Sequence, residues 1–396
     1  MKIKMEEGMD KNIPATNRAE LRSLRELSAR VGSAPLLTQG STGNSSIKLE
    51  GVLWIKASGK WMADAVHEDI FIPLDLDEVR ECAKQRGDPV ELNARASIET
   101  AMHAVMPHRA VLHLHSVDAI AWAVRQDAPL QLRRRLDGLR WQWIPYVPSG
   151  LPLAREIEKA LSGCSDTNVL ILGNHGIVIG GDDCGVVEDL LSQVLQRLAL
   201  CPRQAGPTAY AALAEMADGS PWILPDDNEI HVLGTDVIAR TILSAGFLYP
   251  CQLIFSNSNP PAPFRSFFCL APRNQWESRY GAQQILIIDG CGVLVRKAMT
   301  PAQRATISGL AQVIRRIDSC APIRYLTDEE IRNSSSIVLR YRTLVDAGLT
   351  SVFSRDQNPK IAVAKKVLAT HTGSLSSRVE QAGFQKNWQR SGLTNT

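Results

Sequence analysis

This sequence of 396 residues lacks three kinds of feature. Each absence argues against one class of protein. No apolar run approaches the roughly 18–20 residues that a membrane-spanning helix requires. The first residues, MKIKMEEGMDKN, lack the apolar core of a secretion signal, so we expect a cytoplasmic protein. The eight cysteines are scattered and form no CxxC pair, which favours reduced thiols over disulfides or cysteine-ligated metal.

A large excess of charge of one sign is also missing, because the formal net charge is only +3. From Arg355 onwards the sequence has seven Lys and Arg against two Asp and Glu, so the surplus of positive charge is confined to the last residues. No aromatic-rich strand or recognition motif accompanies that surplus, which favours a solvated basic tail over a nucleic-acid-binding one. We expect neither a nucleic acid nor a membrane as partner.

The patterning of the chain predicts four parts. Residues 1–17 are predicted to form an N-terminal extension, and residues 18–205 alternate helical and strand patterns typical of a compact α/β domain. Residues 206–353, which begin within the proline-containing connection CPRQAGPTAY, predict a smaller α+β accessory region, here called the C-terminal region. Residues 354–396 are polar and aperiodic, and we expect this basic tail to be disordered.

Several local patterns give predictions for single elements. A first helix is predicted from a cap at Thr16 to Gly32, with apolar residues at helical spacing at Leu21, Leu24, Leu27 and Val31. The segment ILIIDGCGVLV predicts a β-hairpin that turns at Gly290–Gly292, since a dinucleotide-binding loop would need a third glycine and a following helix. Thr300 followed by Pro301 predicts the start of a further helix.

Two histidines lie one residue apart in the apolar segment VLHLHS. Alternate side chains of a strand share a face, so His113 and His115 point the same way and Leu112 and Leu114 point into the core on the other side. Two imidazoles on one face can converge on one metal ion. Strand histidines without a metal are also common, so the HxH pattern alone leaves both interpretations open.

A third histidine strengthens the metal interpretation. His175 lies in LGNHGIVIGG, where Asn174 and Gly176 predict a sharp turn between two apolar half-strands, at the end of a sheet. Three neutral imidazoles with one open coordination position are typical of a catalytic zinc site rather than a structural one. Such a metal polarises a substrate oxygen as a Lewis acid.

A carboxylate precedes the HxH strand in the segment ASIETAMH. Glu99 can be a fourth metal ligand in the absence of substrate, or a proton shuttle in its presence. The second role requires a pKa raised towards neutrality, which burial beside Ile98 would supply and the metal would oppose. The alternative is a glutamate that is simply favoured in the first turn of a helix by the helix dipole.

Two turns rich in small residues stand upstream, in GSTGNSSIK and KASGK. Gly43 with Asn44, and Ser58 with Gly59, expose backbone N–H groups and hydroxyls that can bind an anion such as phosphate. Positive charge is added nearby by Lys48, Lys56 and Lys60. Taken alone, both segments are equally well explained as ordinary loops.

The order of these motifs, G-N-x-S, x-S-G, S-x-E-T, H-x-H and N-H-G, resembles the class II aldolase/adducin family over residues 18–202. The segments IKASGK and MPHRAVLHLHSVDA resemble in particular its longer, rhamnulose-phosphate-aldolase-like branch. The resemblance implies a three-layer α/β/α fold with a largely antiparallel central sheet. It also implies a cyclic homotetramer with active sites near the subunit interfaces.

The resemblance also implies roles for particular residues. The positions of His113, His115 and His175 match the metal ligands, with zinc, or manganese or another divalent ion, as cofactor, and Glu99 matches the catalytic acid/base. The positions that match the substrate-anion loops are Gly43, Asn44, Ser58, Gly59 and Ser97.

The chain departs from the family pattern at three places. Ile98 replaces a serine that often precedes the glutamate, and KASG replaces the commoner T-P-S-G. Tyr146 lies in the loop region of a tyrosine that some family aldolases use, without a residue-level match.

From these motifs we expect a divalent-metal aldolase that cleaves a ketose or ketose phosphate through a metal-stabilised enediolate. Two alternatives stay open. Epimerases, dehydratases and decarboxylases of the same fold use the same metal–enolate chemistry with different proton donors. A metal-free, adducin-like binding or scaffold protein would lack the histidine set that this chain has.

Overall fold

The computed structural model describes residues 14–85, 92–93, 95–255 and 283–335. The predicted basic tail, residues 354–396, and the first thirteen residues of the predicted N-terminal extension lie outside this range. Within it, none of the helices combines the length and the apolar character needed to cross a membrane. No disulfide joins two of the described residues.

A seven-stranded mixed sheet forms the centre of the N-terminal part of the chain. Its strands, in chain order, are β1 (Asn44–Leu49), β2 (Val52–Lys56), β3 (Phe71–Asp75), β4 (Ala110–Leu114), β5 (Trp141–Ile144), β6 (Val169–Leu172) and β7 (Gly176–Gly181). They lie side by side in the order β3-β2-β1-β4-β7-β6-β5. All neighbours pair antiparallel except β5 and β6, which are parallel. The predicted, largely antiparallel sheet is therefore confirmed.

Helices cover both faces of this sheet. They are α1 (Ala15–Gly32), α2 (Leu76–Lys84), α3 (Thr100–Val105), α4 (Val117–Ala123), α5 (Ala128–Arg135), α6 (Leu151–Gly163) and α7 (Cys184–Leu198). Helices α1, α4, α5 and α7 share one apolar core with residues of one sheet face. Helices α2, α3 and α6 pack on the other face. The arrangement is the three-layer α/β/α fold that was expected.

The alternation along β4 decides which side chains reach the site. Leu112 and Leu114 belong to the core on the α1 side, whereas Val111 packs with α3 and α6 on the opposite side. His113 shares the face of Val111, because residues two apart in a strand point the same way. The prediction that the two leucines face the core, away from the histidine, is confirmed.

The C-terminal region builds a second, smaller sheet with its own helices. Its strands are β8 (Trp222–Ile223), β9 (Ile285–Ile288) and β10 (Gly292–Arg296), in the order β8-β10-β9. The helices are α8 (Tyr210–Ala217), α9 (Val232–Thr235), α10 (Val237–Ala245) and α11 (Pro301–Ile314), and residues 328–335 are also helical. The smaller α+β region that was expected is present.

All three predicted local elements are present, and the first helix ends at Gly32 as predicted, although its N-cap differs. β9 and β10 form an antiparallel hairpin, and the Thr300 hydroxyl accepts from the backbone N–H of Gln303 at the start of α11. The prediction of a cap at Thr16 is wrong. Helix α1 begins at Ala15 with Pro14 as its N-cap, so Thr16 already lies inside the first turn.

Helix α4 connects the two parts of the chain because it is apolar on both sides. Ala119, Trp122 and Ala123 lie in the core on the α1 side of the large sheet. The other side of α4, with Val117, Ile120, Ala121 and the following Val124, packs into the core of the C-terminal region. The ion pair between Arg316 and Asp118, with 3.1 Å between Nε and Oδ1, joins the same two parts.

The close approach of β7 to β4 gives a test of the fold. A Cβ at Gly176 would overlap the backbone carbonyl oxygen of Leu114, which cannot move without breaking the sheet. We expect Gly176→Ala to lower the free energy of unfolding by about 1–3 kcal/mol, measured by urea denaturation. The control is Gly163→Ala at the end of α6, where a Cβ would meet no atom within 4 Å. Equal stability of both variants would contradict this close packing of β7 on β4.

Candidate metal centre

Three buried imidazoles meet at one end of the large sheet. His113 is the next-to-last residue of β4, His115 follows the strand, and His175 precedes β7. The distances between ring centroids are 5.0 Å for His113 and His115, 4.8 Å for His113 and His175, and 5.1 Å for His115 and His175. One ring nitrogen from each histidine lies within 4.8 Å of the other two.

The pairing of strands brings these histidines together. In the antiparallel ladder of β4 and β7, His113 lies opposite Val178. The three-residue turn between β6 and β7 therefore folds back beside the end of β4 and carries His175 with it. Asn174, in this turn, has a left-handed backbone with φ of 51°, a conformation that asparagine tolerates better than most residues.

Glu99 lies against the same cluster, at the N-cap position of α3. Its Oε1 is 3.2 Å from His175 Nε2, and its Oε2 is 3.4 Å from His113 Nε2. The Asn44 side chain donates to Oε2 at 2.6 Å, and the Ser149 hydroxyl donates to Oε1 at 3.4 Å. The carboxylate is thus held on both oxygens by side chains from two further segments.

The protonation of the histidines favours metal binding. Burial lowers the pKa of His113 and of His115 below the ordinary value, so both rings are neutral at neutral pH. The Nδ1 of His113 is 2.9 Å from the carbonyl oxygen of Ile177, and donation to it leaves Nε2 unprotonated. A neutral imidazole with a free Nε2 lone pair is the form that ligates metals.

The spacing of the donor atoms fits a divalent ion. Zinc–nitrogen bonds of about 2.0–2.1 Å in tetrahedral geometry place two ligand atoms roughly 3.3 Å apart. The Nε2 atoms of His113 and His115 are 3.1 Å apart, close to that value. The cluster thus offers three nitrogen donors, and the two Glu99 oxygens lie against two of the rings, one oxygen on each.

The pKa of Glu99 differs from the value that a proton donor at neutral pH requires. Burial raises it, but the positive charge that His113, His175 and His115 carry when protonated, together with a hydrogen bond from His175, lowers it more, and the net pKa lies well below the ordinary value. The raised pKa considered for the proton-shuttle role is therefore not found. Glu99 is a carboxylate at neutral pH, which is the form that accepts a proton or binds a cation.

A pocket of about 290 Å³ opens above the cluster. The five residues expected in substrate-anion loops all line it, namely Gly43, Asn44, Ser58, Gly59 and Ser97, together with Glu99, His115 and His175. The structure thus brings the loops and two of the three histidines to one cavity. Ile98, which stands where the family often has a serine, is also in the wall.

Gly43 is required by its surroundings. Its φ is 72°, and a Cβ there would lie 2.8 Å from the carbonyl oxygen of His113. The neighbouring Asn44 pairs with His113 across β1 and β4, which places its amide beside Glu99. In this structure the Asn44 amide is therefore engaged with the carboxylate.

The three lysines noted in the sequence have different environments. Lys56 is only 1% exposed and lines the pocket, where its ammonium donates to the carbonyls of Ser41 at 3.1 Å and Lys60 at 2.7 Å. Burial lowers its pKa to about 8, which leaves it charged at neutral pH. Lys48 instead donates to carbonyls near α3, and Lys60 pairs with Glu68 at 2.7 Å.

The lining residues that were not among the predicted site residues include Lys56, Ser149, Cys251 and Ser334. The sequence offered a signal for Lys56, because the segment KASG has a lysine at the position where the family commonly has a threonine. The other three stand in segments without a motif, and two of them belong to the C-terminal region. Tyr146 lies beside the pocket, with its hydroxyl 2.7 Å from that of Ser334.

Comparison with known proteins gives a match to a family model and to several relatives. The family model of the class II aldolase and adducin N-terminal domain matches residues 24–192. An L-fuculose phosphate aldolase of Methanococcus vannielii is 31% identical over 147 residues, which are 36% of this chain and 74% of that protein. An uncharacterized oxidoreductase of Bacillus subtilis, YuxG, is 28% identical over 174 residues, which are 38% of this chain and only 25% of that protein.

Among solved structures, the N-terminal class II aldolase domain of a conserved protein from Thermoplasma acidophilum aligns with a TM-score of 0.40 at 24% identity. The alignment covers 50% of this chain and 97% of that one. The C-terminal region lies outside the family-model match.

The histidine cluster gives a direct prediction for metal affinity. We expect the full chain to bind one divalent ion, and His175→Ala to weaken zinc binding more than the 10–100-fold that loss of an outer-shell partner typically costs. Competition with a chromogenic chelator measures the affinity, and circular dichroism checks that the fold is retained. His67→Ala, which removes an exposed histidine outside the cluster, should bind zinc as the wild type does. Equal affinity in both variants would remove His175 from the ligand set.

Proposed function

This chain belongs to the class II aldolase and adducin family, and from that premise we propose that it is a metal-dependent enzyme that cleaves a ketose or ketose phosphate by retro-aldol chemistry. The observation that carries the proposal is the contact of Glu99 with the histidines at the base of a pocket, 3.2 Å from His175 and 3.4 Å from His113. A binding or scaffold protein has no need of a buried carboxylate among three imidazoles, whose burial is costly without a bound cation.

The side chains of His113, His115 and His175 would hold the metal, and zinc is an ion that suits three imidazole ligands at this spacing. A divalent ion supplies positive charge that polarises a carbonyl oxygen and stabilises negative charge developing on it. The short separation of the Nε2 atoms of His113 and His115 means that little rearrangement is needed to receive it.

Glu99 is the group that exchanges a proton with the substrate carbon. As a carboxylate it accepts a proton from the carbon next to the carbonyl in the condensation direction, and it returns the same proton in cleavage. Asn44 and Ser149 fix the orientation of the carboxylate through their contacts with Oε2 and Oε1. Its burial excludes water that would otherwise compete for the proton.

The pocket walls indicate the substrate class. Hydroxyl groups of Ser58, Ser97 and Ser149 line the cavity, which suits a small polyhydroxylated molecule. The ammonium of Lys56 adds a positive charge, and its two closest hydrogen-bond partners are uncharged backbone carbonyls. An anionic group on the substrate would compensate that charge, so we favour a ketose phosphate over a free ketose.

Product identification tests the proposed reaction. The zinc- and manganese-loaded protein is incubated with ketose phosphates, free ketoses and keto acids, and the products are identified by mass spectrometry and NMR. We expect an aldehyde and a shorter ketone in equal amounts. An epimer, a dehydrated product or carbon dioxide would assign the alternative activities of the fold, and protein without stoichiometric metal would overturn the enzyme proposal.

A substitution of the carboxylate separates metal binding from chemistry. Glu99→Gln keeps the size of the side chain and the acceptor oxygen but cannot take up a proton. We expect stoichiometric zinc to be retained and kcat to fall by about 10²–10⁴-fold, the usual contribution of a general base. Atomic emission for zinc and steady-state kinetics measure the two quantities. Wild-type turnover in this variant would exclude Glu99 from proton transfer.

A substitution of the buried lysine tests the preference for an anion. Lys56→Met keeps the length and apolar stem but removes the charge, so we expect KM for a phosphorylated ketose to rise at least about tenfold, the loss of one charge-assisted hydrogen bond. KM for the same ketose without phosphate should change little, since it lacks the group that the ammonium attracts. Lys60→Met, which removes a nearby lysine paired with Glu68, is the matched control. An equal rise for both substrates would point to disordered loops instead of lost recognition.

A further inference from the structure

The turn that carries His175 makes backbone hydrogen bonds within the α/β domain, and the side chain of Asn174 ties it in addition to the C-terminal region. The side chain of Asn174 is fully buried, and its amide nitrogen donates to the carbonyls of Leu248 and Arg324, each at 2.8 Å. Its amide oxygen accepts from Arg324 Nη1 at 2.9 Å. These hydrogen bonds therefore cross from the metal-bearing turn to residues 74 and 150 positions later in the chain.

Arg324 connects this turn to the part of the pocket wall that the C-terminal region forms. Its guanidinium also donates to Glu330, on the helical residues 328–335, and lies 5.3 Å from the ring centroid of Tyr146. The Tyr146 hydroxyl is in turn 2.7 Å from that of Ser334, which lines the pocket. A continuous set of contacts thus runs from the neighbour of His175 to the wall formed by the C-terminal region.

A second contact reaches another histidine of the cluster. The Sγ of Cys251 is 3.2 Å from Nδ1 of His115, while Nε2 of the same ring faces His113. Cys251 follows Pro250, which also lines the pocket. The ring of His115 is therefore confined between the sheet on one side and the C-terminal region on the other.

From these contacts we propose that the C-terminal region helps to hold the metal ligands in place. In this proposal Asn174 and Arg324 are positioning residues that fix His175. The inference rests on the proposed metal centre and adds that its ligand geometry depends on a segment outside the aldolase-like domain. Cys251 supports it by limiting the rotation of the His115 ring.

Three ligand atoms bind a metal tightly only when they are held in place before it arrives. Without the Asn174 side chain, the buried carbonyl of Leu248 and the part-buried carbonyl of Arg324 lose a donor, and the turn gains freedom to move away from the cluster. Outer-shell partners that orient ligands typically contribute 10–100-fold to metal affinity. Asn174 acts one residue from the ligand, so an effect of this size is expected.

The test uses the full chain with Asn174→Gly. Glycine adopts a φ of 51° without strain, so this variant removes the side-chain hydrogen bonds and leaves the backbone conformation accessible. We expect zinc affinity, measured by chelator competition well below the unfolding temperature, to fall by about 10–100-fold. The visible absorption bands of the cobalt-loaded variant should shift, because they report ligand geometry and not global stability.

Two further variants make the outcome decisive. Gln126→Ala removes another hydrogen bond to the C-terminal region, from Gln126 Nε2 to the Ile323 carbonyl at 3.0 Å, and should leave affinity and spectrum unchanged. Arg324→Met removes the contacts with the Asn174 oxygen and with Glu330, while the Asn174 side chain keeps its own two donated hydrogen bonds. We expect a smaller loss of zinc affinity than in Asn174→Gly. This variant also tests the proposal if Asn174→Gly does not fold.

The results separate the two proposals. Wild-type zinc affinity and an unchanged cobalt spectrum in both Asn174→Gly and Arg324→Met would overturn this inference and leave the metal centre standing. Failure of the wild-type chain to bind a divalent ion would overturn the proposed function itself.

Discussion

The pairing of β4 with β7 is the interaction on which the site depends. It sets His113 opposite Val178 and returns the preceding turn to the end of β4, where His175 meets the other two rings. A shift of one residue in this register would move His113 to the α1 side of the sheet, into an apolar core that offers it no partner. The fit of a glycine at position 176 against β4 keeps that register in place.

The cluster concentrates polar groups where the protein interior would normally exclude them. The His113 Nδ1 is matched by a backbone carbonyl, and the Glu99 oxygens are matched by Asn44 and Ser149. The Nε2 atoms of the histidines instead face one another and the carboxylate, a set of lone pairs that is stable only with a cation or a shared proton among them. The grouping of these nitrogen and oxygen atoms is costly to bury, and for the same reason it favours binding of a positively charged ion.

Much of the fold and of the cluster was predictable from the sequence, because local patterns encode them. Strand alternation places His113 relative to Leu112 and Leu114, and the turn residues around His175 mark the end of a strand. The direction of the Glu99 pKa shift was not predictable, since it is the balance of burial against three rings from distant segments. Nor were the contacts of Asn174 and Cys251, because hydrogen bonds between residues 74 to 150 positions apart leave no periodic signal in one sequence.

Helix α4 is apolar around most of its circumference, since its residues belong to the cores of both parts of the chain. A surface helix usually exposes one polar face to water. In α4 and the residue after it, the corresponding side is apolar and buried, at Val117, Ile120, Ala121 and Val124. An α/β domain cut away from the C-terminal region would expose this stripe and would be prone to self-association. In a homologue that ends after the α/β domain, these four positions should be polar, so their character in any related sequence indicates whether a covering region follows.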